Sequence, residues 1–111
     1  EQVKRCTVIH GNLALLDLRE EDIIYAGNRF VVYALFPETN ISVHLIWGLN
    51  RLNMVFAVGK SIFNRTSNTN IGELMLKYGG GGHRNAGTCQ VDIDDAERVQ
   101  QELIEQITAD G

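Results

Sequence analysis

The run of residues with the clearest chemical potential is a set of four glycines followed at once by a histidine and an arginine. In order it reads Gly79, Gly80, Gly81, Gly82, His83, Arg84, Asn85, Ala86 and Gly87. A backbone without side chains lets a large ligand touch the main chain, and successive glycine N–H groups can converge on phosphate oxygens as an anion nest. The imidazole and the guanidinium can add charge-assisted hydrogen bonds. The run therefore predicts a site for a phosphorylated ligand.

The simpler alternative is that the four glycines only connect a helix to a strand. One glycine would be enough for that, and each further glycine costs about 0.5–1 kcal/mol relative to alanine where the backbone is ordered. Ligand contact is therefore the favoured interpretation. The run is not a Walker loop, because no Gly-Lys-Ser/Thr closes it, and it is not a dinucleotide fingerprint, because the glycines end a helix instead of opening one.

The charge distribution limits how such a site can work. The formal net charge of the 111 residues is −4, which excludes a broadly basic nucleic-acid-binding surface. Basic residues are instead concentrated between Lys60 and Arg84, where Glu73 is the one acidic residue. We therefore expect any phosphate to be bound by a small group of residues in this segment and not by a broad basic surface.

The elements around the glycines follow from capping and periodicity. Asn70 precedes a helix predicted over Ile71–Tyr78, with Glu73 at the capping-box position and apolar residues at i, i+3, i+4 and i+7. The glycines should end this helix, and a strand is predicted over Thr88–Val91. Asp94 repeats the capping signature before a final helix.

The first half of the chain predicts strands and one uncertain segment. Cys6 to Asp17 forms either a hairpin or one bent strand around a Gly-Asn turn signal. Arg19–Pro37 has strand-like composition but ends at a proline, and we favour a helix there. Alternation over Ile41–Trp47 and Met54–Val58 predicts a second hairpin. The expected fold is α/β, with residues 1–111 as one domain and a mixed β-sheet flanked by helices.

Other features bear on location and processing. No run approaches eighteen apolar residues and no signal peptide is recognisable, so we expect a cytoplasmic protein with no membrane contact. Cys6 and Cys89 have neither zinc-site nor disulfide-framework spacing and are expected to be reduced thiols. The first residue is Glu1 and not Met, which fits a processed chain or an excised domain.

The segment from Gly79 to Gly87 resembles the GGGH-containing signature of the DHH-associated domain, the C-terminal part of DHH-family phosphoesterases. In that family the motif follows a short helix and leads into a strand, as predicted here, and the resemblance covers nearly the whole chain. The family includes RecJ-type exonucleases, oligoribonucleases, exopolyphosphatase-like proteins and cyclic-dinucleotide phosphodiesterases. The resemblance implies that Gly80 to His83 contact the substrate phosphate or the nucleotide.

One departure from the family concerns an Arg-Ser pair that many members carry at the end of a strand. Here that place reads Gly59-Lys60-Ser61, so the arginine is missing. Arg65 could supply the guanidinium instead, or it could be a solvated loop arginine. The residues expected to bind substrate are Ser61, Asn64, Arg65, Gly79, Gly80, Gly81, Gly82, His83, Arg84 and Asn85.

Catalytic residues are not expected in this chain. DHH catalysis uses clustered Asp and His side chains that hold divalent cations, usually manganese, and the sequence has neither a DHH triplet nor such a cluster. Helix capping is the better explanation of Asp92, Asp94 and Asp95. The resemblance implies an enzyme only as part of a full-length phosphoesterase, with the cations in a separate N-terminal DHH catalytic domain and no cofactor in this chain.

The expected partners are therefore a short nucleic acid or phosphorylated nucleotide and that catalytic domain. In the alternative hypothesis the chain is a non-catalytic nucleotide-binding or protein-interaction module.

Overall fold

The computed structural model describes residues 2–19, 28–48, 53–61 and 66–111. In chain order, the elements are α1 (Gln2–Cys6), β1 (Thr7–His10), β2 (Leu13–Asp17), α2 (Asn28–Leu35), β3 (Ile41–Trp47), β4 (Asn53–Lys60), α3 (Ile71–Leu76), β5 (Gly81–His83), β6 (Ala86–Asp92), a 3₁₀ turn (Ile93–Asp95) and α4 (Ala96–Asp110).

These strands form one six-stranded sheet in the order β1-β2-β3-β4-β6-β5. The β2–β3 pair is parallel and the other pairs are antiparallel. The sheet is therefore mixed, as predicted for this α/β fold.

Alternation along the strands divides the apolar residues between two faces. On one face, residues such as Val43 of β3 and Phe56 of β4 pack with α3 and α4, which contribute Met75 and Leu103. On the other face, a smaller cluster forms around Leu16 of β2 with residues of α1 and α2. The described helices thus lie on both faces of the sheet.

The β6 strand is covered differently. Cys89 points into the larger cluster and is 1% exposed, whereas its neighbours Thr88 and Gln90 are exposed on the opposite face. Since Gly81 lies opposite Thr88 and His83 lies opposite Ala86 in the ladder, Gly81 and His83 share this accessible face.

Most sequence predictions of elements are confirmed. Both hairpins form, β1–β2 as two strands and not one bent strand, and Asn70 caps α3 by accepting the N–H of Glu73 at 3.2 Å. A helix also forms within Arg19–Pro37, over Asn28–Leu35, whereas residues 20–27 lie outside the described part. Among the described helices, the longest has 15 residues and none combines the length and apolar character needed to cross a bilayer.

Two predictions were wrong in detail, and the α1 helix was missed. The final helix was expected to be capped by Asp94, but α4 begins after a 3₁₀ turn with Asp95 at the cap position and no side-chain cap bond. Asp95 instead forms an ion pair with Arg98 at 3.6 Å. The second error concerns the glycines, which belong in part to the additional strand β5.

Candidate functional site

The first two glycines of the run end helix α3. Gly79 has a φ of 79°, and its N–H bonds the Leu76 carbonyl at 3.1 Å. The N–H of Gly80 bonds the Met75 carbonyl at 3.0 Å. This pair of bonds is the Schellman arrangement, in which a left-handed residue ends a helix. Both N–H groups are therefore used within the helix end and are not available to a phosphate.

The next two glycines lie in the edge strand β5, which pairs with β6. An anion nest requires successive N–H groups that point to one place, whereas the amide directions alternate along a strand. The prediction that the four glycines form a nest was therefore wrong. Strand β5 could not be recognised from the sequence, because three residues reading Gly-Gly-His carry no β-branched or alternating apolar pattern.

Close packing requires three glycines of this hairpin. A Cβ on Gly80 would collide with the Thr88 carbonyl oxygen and would lie 2.7 Å from Cys89. A Cβ on Gly82, whose φ is 149°, would collide with the carbonyl oxygen of Ala86, and a Cβ on Gly87 would lie 2.7 Å from the Gly81 oxygen. These residues are glycine because two backbones approach closely there.

Gly81 is different, because neither packing nor backbone conformation requires it to be glycine. No described atom lies within 4 Å of the position that its Cβ would occupy, and its φ is not in the left-handed region. A missing side chain that the fold does not need leaves open space on the accessible face of the sheet, next to His83. Gly81 is thus the glycine of the run that is best suited to make room for a ligand.

The turn between β5 and β6 consists of Arg84 and Asn85, and hydrogen bonds join its two carbonyls to α3 and β4. The Arg84 carbonyl accepts the N–H of Ile71, the first residue of α3, at 3.1 Å. The Asn85 carbonyl accepts the N–H of Lys60, the last residue of β4, at 3.0 Å. Both turn side chains are exposed. The backbone is therefore fixed while the guanidinium remains accessible.

These contacts bring Lys60 and Arg84 together at one corner of the sheet. The Lys60 ammonium donates to the Ser67 carbonyl at 3.3 Å. Burial, and then repulsion by the neighbouring Arg84 guanidinium, lowers the pKa of Lys60. Ion pairs among the described residues include those of Arg19 with Asp17 and of Arg98 with Asp95 and Glu102, and these pairs involve neither Lys60 nor Arg84. Two adjacent cations with no carboxylate partner among these pairs are suited to an anion.

Lys60 was not among the site residues predicted from the sequence. The signal was present, since Lys60 stands where the resemblance noted from the sequence implies an arginine before a serine. The expected residue was an arginine, whose bidentate fork a lysine cannot offer. The proximity of Lys60 to Arg84 could not be read from the sequence. It follows from the register of β4 against β6, which places Lys60 beside the turn that carries Arg84.

His83 is exposed, and its ring is oriented by the turn. Its Nδ1 accepts the backbone N–H of Asn85 at 3.3 Å. A neutral imidazole that accepts at Nδ1 carries its proton on Nε2, so the outer nitrogen is a hydrogen-bond donor. His83 can therefore donate to a phosphate or base oxygen without being positively charged.

The remaining predicted residues fare differently. Ser61 is 4% exposed, and its N–H donates to the Asn40 carbonyl at 2.9 Å, so it holds the end of β4 in place and does not present its side chain to solvent. Its predicted direct contact with the ligand is not supported by this burial. Asn64 and Arg65 lie outside the described residues, and their role stays a prediction.

A groove of about 310 Å³ lies at the β5 edge of the sheet next to α3, and it is lined by Asn70, Gly72, Glu73, Leu76, Gly81, Gly82, His83 and Arg84. A larger cavity of about 540 Å³ lies next to α4, and its charged lining consists of Asp92, Asp95, Glu102, Lys77 and Arg98. The carboxylates outnumber the cations there, and Arg98 is already paired with two of them, so this cavity is less suited to a phosphate. There, burial and then the hydrogen bond to Glu102 raise the pKa of Tyr78 to about 12. The groove lined by His83 and Arg84 is therefore the better candidate, although it is smaller.

The described side chains do not form a metal site. Within residues 2–19, 28–48, 53–61 and 66–111, no group of three or more His, Cys, Asp or Glu side chains could hold a metal ion. Cys6 and Cys89 are both thiols, and burial raises the pKa of Cys89 to about 11.

Comparison with solved structures gives a clear match. The chain is 64% identical to the corresponding part of a pGpG-specific phosphodiesterase from Vibrio cholerae, with a TM-score of 0.96 over 99% of this chain and 37% of that chain. An exopolyphosphatase-related protein from Bacteroides fragilis shares the fold at a TM-score of 0.67 and 18% identity, over 96% of this chain and 33% of that chain. The DHH domain of a member of a ribosomal-protein family also shares the fold, at a TM-score of 0.63 and 14% identity, over 96% of this chain and 29% of that chain.

No protein-family model and no curated protein matches the chain. The chain spans only about a third of the phosphodiesterase, 37% of its length, so the match concerns one part of a larger molecule. Its motif, the order of its elements and its mixed six-stranded sheet agree with the resemblance noted from the sequence. The chain belongs to the DHH-associated domains of the DHH phosphoesterase family.

Proposed function

We propose that this domain binds the phosphate end of a short linear nucleotide within a DHH-family phosphodiesterase. We also propose that the substrate of that phosphodiesterase is pGpG. The observation that carries the proposal is the pair of adjacent cations, Lys60 and Arg84, at the fixed turn beside the glycine hairpin. The 64% identity to part of a pGpG-specific phosphodiesterase supports the choice of ligand.

Within the proposal, each residue has a distinct role. Lys60 and Arg84 hold phosphate oxygens, and the Nε2–H of His83 donates one hydrogen bond. Gly81 leaves room for the ligand on the accessible face of the sheet. Asn85 fixes the turn through its carbonyl and orients the His83 ring through its N–H.

Hydrolysis would take place outside this chain. We place it in an N-terminal DHH domain whose Asp and His side chains hold divalent cations, usually manganese, with the substrate bound between the two domains. Holding the phosphate in position can contribute several kcal/mol to catalysis without a catalytic residue here. A cytoplasmic location belongs to the same proposal and agrees with the two thiols.

The test is a titration of the chain with pGpG and, separately, with inorganic phosphate, followed by NMR and calorimetry. One domain offers only one side of the cleft, so we expect a Kd of about 1 mM, with binding that weakens as salt is added. Lys60→Ala and Arg84→Ala should each weaken binding about tenfold, since a hydrogen bond to a charged group is worth about 1.5–3 kcal/mol. Lys77→Ala is the matched control, because Lys77 is an exposed lysine beyond the other end of α3.

Three results would count against the proposal. Shifts that map away from the β5–β6 hairpin would move the site, and equal losses in all three variants would show a general charge effect. Unchanged binding in Lys60→Ala and Arg84→Ala would favour the alternative, a non-catalytic nucleotide-binding or protein-interaction module that uses another surface.

A further inference from the structure

The last turn of α4 carries an acidic residue where a helix disfavours one. Asp110 is the final residue of α4, at the end where the unsatisfied carbonyls concentrate negative partial charge. A carboxylate is disfavoured in this last turn unless other contacts offset the repulsion. Asp110 is half-buried, so its hydrogen bonds must offset this repulsion.

Those contacts lead to the segment that precedes α3. The Thr69 hydroxyl donates to Asp110 Oδ2 at 2.9 Å, and Thr69 is 2% exposed. The Asn68 side-chain amide donates to the Asp110 carbonyl at 3.2 Å, and its backbone N–H donates to the Gly111 carbonyl at 2.9 Å. On the helix side, the Gln106 amide donates to Asp110 Oδ1 at 2.9 Å, which orients the carboxylate.

The same segment holds both cations of the candidate site. The Ser67 carbonyl accepts the Lys60 ammonium at 3.3 Å, and the Ser67 hydroxyl accepts the Thr69 N–H at 3.4 Å. Just beyond Thr69, Asn70 caps α3, whose first N–H holds the carbonyl of Arg84 at 3.1 Å. The positions of Lys60 and Arg84 therefore both depend on residues 67–71, and Asp110 ties these residues to α4.

We infer that Asp110 is a positioning residue for the phosphate site, since it anchors the segment that sets Lys60 and Arg84 beside each other. The inference rests on the proposed function of these two cations. Asp110 acts through hydrogen bonds and not through its charge, because a negative charge near the site would itself weaken the binding of an anion.

Three single variants separate the hydrogen bond from the charge. Asp110→Ala removes both, whereas Asp110→Asn removes the charge but keeps an oxygen that accepts the Thr69 hydroxyl. Glu105→Ala gives the same charge change on the same helix, at an exposed residue whose carboxylate accepts the exposed Gln101 amide. With pGpG as the probe, Asp110→Ala should bind about fivefold more weakly, while Asp110→Asn and Glu105→Ala should bind within about twofold of the wild type.

A readout without ligand keeps this inference separate from the proposed function. NMR relaxation of the Lys60 side-chain carbons should show greater mobility in Asp110→Ala but not in Asp110→Asn. Thr69→Val removes the hydroxyl at nearly constant volume and is expected to show the same increase in Lys60 mobility. It replaces Asp110→Ala in the test if Asp110→Ala fails to fold. If the wild type does not bind pGpG, the proposed function fails, while Lys60 mobility still tests the anchor.

The inference is overturned if Lys60 mobility and pGpG binding are the same in Asp110→Ala, or in Thr69→Val, as in the wild type. It is also overturned if Asp110→Asn loses as much binding as Asp110→Ala, because the charge and not the hydrogen bond would then be responsible.

Discussion

Two hairpins stand at opposite edges of the sheet, and their turns lie at the same end of it. In β1–β2, His10 precedes the turn Gly11-Asn12; in β5–β6, His83 precedes the turn Arg84-Asn85. The strands between them are in register at this end, since Leu13 pairs with Ile41, Ile41 with Lys60, and Gly59 with Ala86.

The two hairpins use the same geometry for different purposes. In the first, β2 is buried over Leu13–Leu16 and the turn packs on α4, with Thr108 Cγ2 3.6 Å from the position of a Cβ on Gly11. In the second, glycines let the strand lie close to β6 and α3, and the exposed turn carries a cation. The β5–β6 hairpin is a candidate binding site because glycines leave space beside it and because hydrogen bonds from α3 and β4 fix its turn.

The largest expected effect contrasts the glycines of the two hairpins in stability. Gly80→Ala should lower the free energy of unfolding by about 3 kcal/mol, because its Cβ would overlap the Thr88 carbonyl and Cys89. Gly11→Ala should cost only about 1–2 kcal/mol, since its neighbours leave room and only its φ of 59° is unfavourable. Urea unfolding of both variants measures this, and an equal or larger loss for Gly11→Ala would contradict the contrast.

A smaller effect separates packing from ligand clearance inside the second hairpin. Gly81→Ala should unfold within about 0.5 kcal/mol of the wild type, because no described atom opposes its Cβ. Its binding of pGpG should nevertheless weaken about tenfold, a loss of about 1.4 kcal/mol, as the new methyl group enters the ligand's space. Unaltered binding in Gly81→Ala would mean that the ligand does not lie on this face.

The smallest expected effect compares the two histidines that precede the turns. His83→Ala should weaken pGpG binding about fivefold, the loss of one neutral hydrogen bond of about 1 kcal/mol, and His10→Ala should leave it unchanged. His83→Gln, which retains an amide donor, should recover part of the loss. Isothermal titration at low salt measures all three variants. A larger loss in His10→Ala than in His83→Ala would show that the ligand lies at the other edge of the sheet.

Much of the fold could be predicted because its signals are local. The end of α3 was identified from Gly79, whose positive φ a glycine adopts readily, and its start from Asn70. The strands β3 and β4 were identified from two-residue alternation, because the apolar residues of both strands point to the same buried face. The short strand β5 was missed because it pairs with β6 through backbone approach and not through side chains.

The candidate site was predicted only in part. The sequence identified the glycine-rich segment and the arginine that follows it, but not the hairpin that they form. The prediction treated all four glycines alike, and only the packing against β6 separates Gly81 from Gly80 and Gly82. The prediction also left out Lys60, which acquires its place beside Arg84 through the pairing of β4 with β6.

The sequence by itself determined where α3 starts and stops, which strands bury an alternating set of residues and which segment carries the unusual glycines, because these depend on neighbouring residues and on periodicity. The tertiary structure alone decided which glycines pack, which cations meet and which distant residue anchors them. Those properties arise from contacts such as Thr69 with Asp110 and Lys60 with Ser67, and the distances in such contacts are set only when the whole sheet and its helices have assembled.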